Sequence, residues 1–362
     1  MLHNDRTALL QFAITGEQAF LFVATKSAGE VELQAYPLIL TNDQIEKKVK
    51  KFRNLIMGKD QTDDLGIASR DLHDHLLGKA QAQLKNKTEL IIVPDGPLWE
   101  LPFQALKTAD NHYLIEQAAI SYVPSFGVLE KASQQHPDHP PQLDLLAFGN
   151  PFLAKRAGLT TSNGEAIEPL ENLQNAEFLV KKISQLHNPA TSNVFIGKMA
   201  TEEKFKALAP KYRIILLASH GIFGSLDPMR SSIVLAQNGE KNLDDGFLEA
   251  REIAKMHLSA EMVVLSACDS GRGQMREGEG IVGLPWAIFA AGCPTTVVSQ
   301  WQVDSLATAN LISSMYSKLG HNKRATKAEA LQKAAMTMLN SSNKDFHHPY
   351  YWASFILFGK AN

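Results

Sequence analysis

The sequence predicts an α/β protein, with a mostly parallel sheet flanked by helices and an antiparallel β and helical region ahead of it. Three runs within residues 7–38, TALLQFAI, AFLFVAT and VELQAYPL, carry the second part of this reading. They alternate apolar and polar side chains and are separated by turn residues at 16–17 and 27–30, the pattern of an antiparallel meander. After Lys87 the chain changes character. Short continuous apolar runs end in loops and give way to helical spacing, which is how strands covered on both faces and joined by crossover helices read.

Between these parts, Ile45, Val49, Phe52, Leu55 and Ile56, then Leu72, Leu76 and Leu84, recur at helical intervals and predict two helices. Strands are predicted near 89–93, 143–148, 193–196, 213–218, 261–267, 294–300 and 353–358. Helices are predicted over 125–134, 171–186, 201–208, 249–255, 281–291, 304–318 and 324–339. The weakest seam is HPDHPP at 136–141, because each proline fixes φ and removes a backbone donor. It divides the chain into an N-terminal region, 1–140, and a second region, 141–362.

Charge excludes several function classes. Among 362 residues, 36 Lys and Arg oppose 38 Asp and Glu, so no global field would hold nucleic acid or an anionic bilayer, and neither is expected as a direct partner. With 44% hydrophobic and 20% charged residues, the composition argues against disorder and coiled coil. Cys268 and Cys293 are too few for a disulfide scaffold or a four-cysteine zinc site, and they fit a reducing, cytoplasmic compartment. The opening MLHNDRTALLQF lacks the basic region and uninterrupted apolar run of a signal peptide. The uncharged stretch 280–303 contains Pro285, Gly292 and Pro294 and reads as helix, turn and strand rather than a membrane span.

Chemistry concentrates at two strand ends. RIILLASHG stops at Ser219-His220-Gly221, and MVVLSACDSG stops at Cys268-Asp269. In open parallel sheets the active crevice lies beyond the carboxyl ends of the strands, so two such strands side by side would deliver an imidazole and a thiol to one edge. A nearby imidazole can stabilise a thiolate and return a proton to a leaving amine. His220 is the candidate acid/base and Cys268 the candidate nucleophile. The backbone N–H groups of Gly221 and Cys268 are candidate donors to the oxyanion that develops on an attacked carbonyl. Taken singly, the cysteine reads as a packing thiol and the histidine as a loop residue; their joint placement, 48 residues apart, favours the dyad.

Seven segments in order resemble the CHAT domain, a caspase-like cysteine-peptidase module related to separase. They are IIVPDGPLWELPFQAL (91–106), YLIEQAAISYVPS (113–125), LLAFGNP (145–151), LLASHGIF (216–223), VVLSACDSG (263–271), GEGIVGLPWAIFAAGCPTTVVSQWQVD (278–304) and HPYYWASFILFG (348–359). The resemblance implies a caspase-like fold and a cysteine endopeptidase acting on a protein or peptide substrate, with His220 and Cys268 at the catalytic positions and no cofactor or metal. It also implies that 1–140 contains a degenerate caspase-like lobe and 141–362 the catalytic one, the alternative being one continuous α/β domain with an added antiparallel edge. Ser219 stands where the family commonly has Thr, and Asp269-Ser270 where it has Glu-Thr; neither change removes a reacting group. Many relatives carry tetratricopeptide repeats that bind a regulator, whereas this chain starts almost at the family's first strand, so a regulator-reading part is expected to be missing or separate. The competing class is a catalytically silent interaction or scaffold module.

Asp304 follows Trp301-Gln302-Val303, close in register to an acidic, Trp-containing segment of separase that helps recognise a basic side chain. With Asp269 beside the cysteine, these make Asp304, Trp301 and Asp269 candidate substrate-binding residues. Asp304 equally suits the N-cap of the following helix. A second rival is G-x-G-x-x-G at 278–283, with Asp304 21 residues after Gly283, as in a dinucleotide site. The glycines lie about ten residues past the preceding strand rather than directly after it, which disfavours that reading. The glycines of 270–280 are expected to form a mobile loop beside the thiol, and SSIVLAQ (231–237) either an edge for strand addition by a peptide or an internal hairpin. Cys293 is expected to be a buried packing thiol.

Overall fold

The computed structural model describes residues 4–27, 29–125, 127, 130, 140–153, 170–224, 226–237, 245–267, 270–271, 273–276, 280–302, 304–321 and 325–361. The chain forms two compact units, Met1–Ser133 with Arg324–Asn362, and Gln134–Lys323. The tail that the sequence reading joined to the second region therefore belongs to the first.

In chain order the strands are β1 (Thr7–Thr15), β2 (Gln18–Ser27), β3 (Glu30–Leu38), β4 (Glu89–Val93), β5 (Ala119–Tyr122), β6 (Leu143–Pro151), β7 (Ser192–Gly197), β8 (Tyr212–Ala218), β9 (Gly221–Ile222), β10 (Ser232–Val234), β11 (Phe247–Glu249), β12 (Met262–Ser266), β13 (Gly273–Arg276), β14 (Gly280–Gly283), β15 (Thr295–Ser299) and β16 (Phe355–Gly359).

The first unit carries the expected meander. Strands β3, β2 and β1 pair antiparallel, and β4, β5 and β16 extend the sheet in parallel. The helices Asn42–Met57 and Asp63–Leu77 follow the meander, and the first buries Ile45, Val49, Phe52 and Ile56 at the predicted spacing. Its start is fixed by a capping box between Thr41 and Gln44. Strand β16 reaches the sheet by pairing with β5, through Leu357 with Ser121 and Phe358 with Tyr122, which brings the tail home. Tyr122 is fully buried, its hydroxyl donating to Gln104 and accepting from the Phe103 N–H.

The second unit is a parallel sheet in the order β15-β12-β8-β6-β7. Its central strands are continuous apolar runs because both faces are covered; Ile215, Leu216, Leu217, Val263, Val264 and Leu265 are all buried. Helices Gln174–Ser184, Glu202–Leu208, Leu284–Ala290 and Ser305–His321 connect the strands, close to their predicted limits. Most of the helix predicted over 125–134 lies outside the described residues.

Of the two alternatives for 231–237 the internal one holds: strand β10 is the central strand of a small antiparallel sheet ordered β11-β10-β9, so both of its edges are occupied and no peptide can add there. The stretch 270–280 holds β13, which pairs antiparallel with β14 in a two-stranded hairpin in place of an open loop. Among the described residues, no helix is long and apolar enough to cross a membrane.

Glu202 gives the second unit a pH dependence. Its side chain is 1% exposed, and burial raises its pKa from the ordinary 4.5 to about 7, opposed by Lys206, reinforced by Glu252 and opposed by the Gly246 N–H. Below pH 4.5 the carboxyl is protonated folded or unfolded and costs nothing. Between pH 4.5 and 7 the unfolded chain ionises while the folded carboxyl stays protonated, so the folded state is progressively penalised, by on the order of 3 kcal/mol above pH 7. Thermal unfolding across pH 4.5 to 8 is expected to show a fall in stability that Glu202→Gln lacks; a parallel fall in both proteins contradicts the account.

Candidate functional site

Strands β8 and β12 run parallel and in register, with Leu217 opposite Leu265 and Ala218 opposite Ser266. His220 comes two residues after Ala218 in sequence, and Cys268 two residues after Ser266. Cys268 and Asp269 lie outside the described residues. Between Ala218 and His220, the buried hydroxyl of Ser219 donates to the Val234 carbonyl and ties the departing chain to β10.

His220 is half-buried, and its Nε2 lies 2.7 Å from the Glu171 carbonyl oxygen. A carbonyl only accepts, so Nε2 carries the proton, and in the neutral ring Nδ1 holds the lone pair. The ring is thus oriented by a backbone carbonyl rather than by a carboxylate, as in a dyad without a third acidic residue. Glu171 belongs to the short segment that enters the helix Gln174–Ser184.

Gly221 opens β9 and pairs with Ile233 of β10. The Val234 N–H donates to the His220 carbonyl at 2.9 Å, which makes Gly221 and Ile233 a non-hydrogen-bonded pair of the antiparallel ladder. The ladder with β10 therefore does not use the Gly221 amide.

The chain on both sides of Cys268-Asp269 is tied to the end of β15. The Ala267 carbonyl accepts from Ser299 Oγ at 2.7 Å and from the Ser270 N–H at 3.3 Å. Ser270 Oγ accepts from the Ser299 N–H at 3.1 Å and donates to the Leu265 carbonyl at 3.2 Å, while the Gly271 N–H donates to the Ser299 carbonyl at 2.7 Å. Both serines are buried. Gly271 has no room for a side chain: a Cβ would stand 2.9 Å from the Ser299 carbonyl oxygen and 3.0 Å from Val298 Cγ2.

The other candidates separate. Asp304 Oδ1 accepts from the Leu306 and Ala307 N–H groups, both at 2.9 Å, and so caps the helix Ser305–His321. Trp301 is 1% exposed, so its indole packs inside the unit instead of offering a face to a peptide. Cys293 is buried, and its thiol lies 3.2 Å from the Thr295 carbonyl oxygen. The dinucleotide reading of 278–283 requires a strand of the parallel sheet leading directly into the glycines; the strand there, β14, belongs instead to the antiparallel hairpin, and 277–279 lie outside the described residues.

Sequence reasoning missed Glu171 and Ser299 as contributors. Glu171 acts through its carbonyl, which leaves no trace in residue type. Ser299 lies at a strand end inside the run 278–304, and that position was the available signal.

A family model described as the CHAT domain matches residues 66–360. Tetratricopeptide repeat protein 28 of Mus musculus is 25% identical over 339 residues, covering 80% of this chain and 13% of that protein. Its Homo sapiens counterpart is 25% identical over 334 residues with the same coverage. The chain thus spans about an eighth of the length of these curated relatives. Among solved structures, the Saccharomyces cerevisiae separase–securin complex superposes with a TM-score of 0.59 at 12% identity, over 98% of this chain and 30% of that one. The Arg-specific cysteine proteinase gingipain R gives 0.50 at 10% identity, over 88% of this chain and 74% of that one. At such identities the likeness shows the fold, which is caspase-like α/β.

Proposed function

The chain belongs to the CHAT-domain family, and on that premise we propose that it is a caspase-like cysteine endopeptidase acting through Cys268 and His220. In this reading Nδ1 of His220 takes the thiol proton as the sulfur bonds to the substrate carbonyl carbon. The carbonyl electron pair moves onto oxygen, where the Gly221 and Cys268 amides hold it; removing one donor of this kind typically costs about 3 to 4 kcal/mol of transition-state stabilisation. Collapse breaks the C–N bond as His220 returns the proton to the leaving amine. Water then attacks the thioester, the thiolate departs, and the acid product is released.

The observation that carries this reading is the in-register pairing of Ala218 with Ser266, beyond which the imidazole follows by two residues and, in sequence, so does the thiol. The Nε2–H tautomer of His220 supports it, because it leaves Nδ1 as the basic nitrogen. The substrate is a protein or peptide, and a separate regulatory protein fits a domain that in many relatives follows repeats.

Digestion of a proteome-derived peptide library by the purified chain tests the proposal. New termini that disappear in Cys268→Ala support it; an identical digest with both proteins sinks it and favours the scaffold reading. Asp304→Asn in the same assay keeps the helix cap and removes the charge. Lost preference for Arg or Lys before the cut would assign Asp304 to selection, and an unchanged preference would leave it as the cap alone.

A further inference from the structure

We infer that Asn150 is a positioning residue for the His220 imidazole, acting through the Glu171 carbonyl; its catalytic meaning rests on the peptidase reading above. Strand β6 lies beside β8, with Gly149 opposite Ala218, so its end adjoins the strand that leads to His220. On its other side Gly149 pairs with Ile196 and Pro151 with Gly197, leaving Asn150 as the extra residue of a β-bulge. Bulges re-aim a side chain, and they recur next to active sites. Asn150 also has φ +45°, a left-handed conformation that asparagine tolerates better than most residues but that still costs about 1 kcal/mol.

This strained geometry has a readable result. Asn150 Oδ1 accepts from the Leu173 N–H at 2.8 Å, and its Nδ2 donates to Glu177 Oε2 at 3.1 Å. The side chain thereby fixes the segment that starts the helix Gln174–Ser184, two residues from the carbonyl that orients His220. The same helix is pressed onto β6 at Gly149, where a Cβ would stand 2.7 Å from Val180 Cγ2 and 2.9 Å from the Ala176 carbonyl oxygen. Backbone and side chain of the bulge thus hold the helix entrance from two sides. A carbonyl shifted away from Nε2 would release the ring to rotate and to take the other tautomer, placing a proton on Nδ1 where the thiol needs a lone pair.

Asn150→Gly isolates the side chain, because glycine adopts positive φ without strain and leaves the bulge intact. Side-chain ¹⁵N NMR of His220, assigned with His220→Gln, reads the tautomer directly. The unsubstituted chain is expected to show the Nε2–H form, and Asn150→Gly a mixture of the two. Alkylation of Cys268 by a peptide acyloxymethyl ketone is expected to slow by on the order of tenfold, the effect usual for a lost orienting partner. Asn150→Asp keeps the acceptor for Leu173 but sets a carboxylate against Glu177 and is expected to fail likewise. Adding Glu177→Gln restores a donor facing an acceptor and is expected to regain both tautomer and rate, a rescue that a merely structural role would not give. An unchanged tautomer in Asn150→Gly, or no recovery in the double variant, overturns the inference. If the unsubstituted chain is not alkylated, the peptidase reading fails, and the tautomer comparison still decides the role of Asn150.

Discussion

His220→Ala is expected to slow alkylation of Cys268 by a peptide acyloxymethyl ketone by roughly 10²- to 10⁴-fold, the range for a lost general acid/base. The reagent needs a thiolate held beside a bound peptide, and a free thiol is only partly ionised at neutral pH. Global stability should change by only about 1 kcal/mol, since among the described residues the half-buried ring makes one side-chain hydrogen bond, to the Glu171 carbonyl. The measurement is a second-order rate constant from intact-mass spectra, set beside a denaturant unfolding curve. Equal rates in the two proteins would mean that the imidazole does not serve the thiol.

Gly271→Ala is expected to cost about 1 to 3 kcal/mol of stability through overpacking and to remove labelling at Cys268 in the fraction that remains folded. The contact at 2.9 Å is to a backbone oxygen, Ser299 O, which cannot swing aside as a flexible side chain would. Relief therefore requires the 270–271 segment to leave β15, breaking the Gly271 to Ser299 hydrogen bond and loosening the Ser270 bridge. Ser299→Ala is the milder control. It removes only the hydroxyl that donates to the Ala267 carbonyl, an oxygen that still accepts from the Ser270 N–H. Urea unfolding paired with labelling rates separates the two effects: Gly271→Ala with native stability and native rate would refute the close approach.

Much of this architecture is legible in the sequence because burial on both faces writes itself as uninterrupted apolar runs. Strands β4, β6, β8, β12, β15 and β16 fall within a few residues of their predicted places for that reason, and the part-buried edge strand β7 does so on its short apolar run Val194–Ile196 alone. Strand β5 is not among them. Its four residues AISY follow Glu-Gln-Ala and have no local pattern of their own; pairing with β4 and β16 makes them a strand. The same long-range pairing returns 324–362 to the first unit, which the proline-rich seam at 136–141 could not announce. The short strands β9, β10 and β11 hold two or three residues each, too few to show a period.

At the site, the side chains that would react are visible as types, a histidine and a cysteine at strand ends. What orients them is less so. The Glu171 carbonyl is a backbone atom of an exposed residue. The Ser270–Ser299 bridge joins residues 29 apart in sequence. Asp304 shows the converse case: the sequence left it as either a substrate-selecting carboxylate or a cap; its bonds to the Leu306 and Ala307 amides show the cap, and the Asp304→Asn digest decides selection.

Peptide mapping of the alkylated protein puts the dyad to its most direct test. A single thioether on Cys268 is expected, formed on the unsubstituted chain and lost in both Cys268→Ala and His220→Ala. Modification of the buried Cys293 instead, or an adduct on Cys268 that forms equally fast without the imidazole, would contradict it.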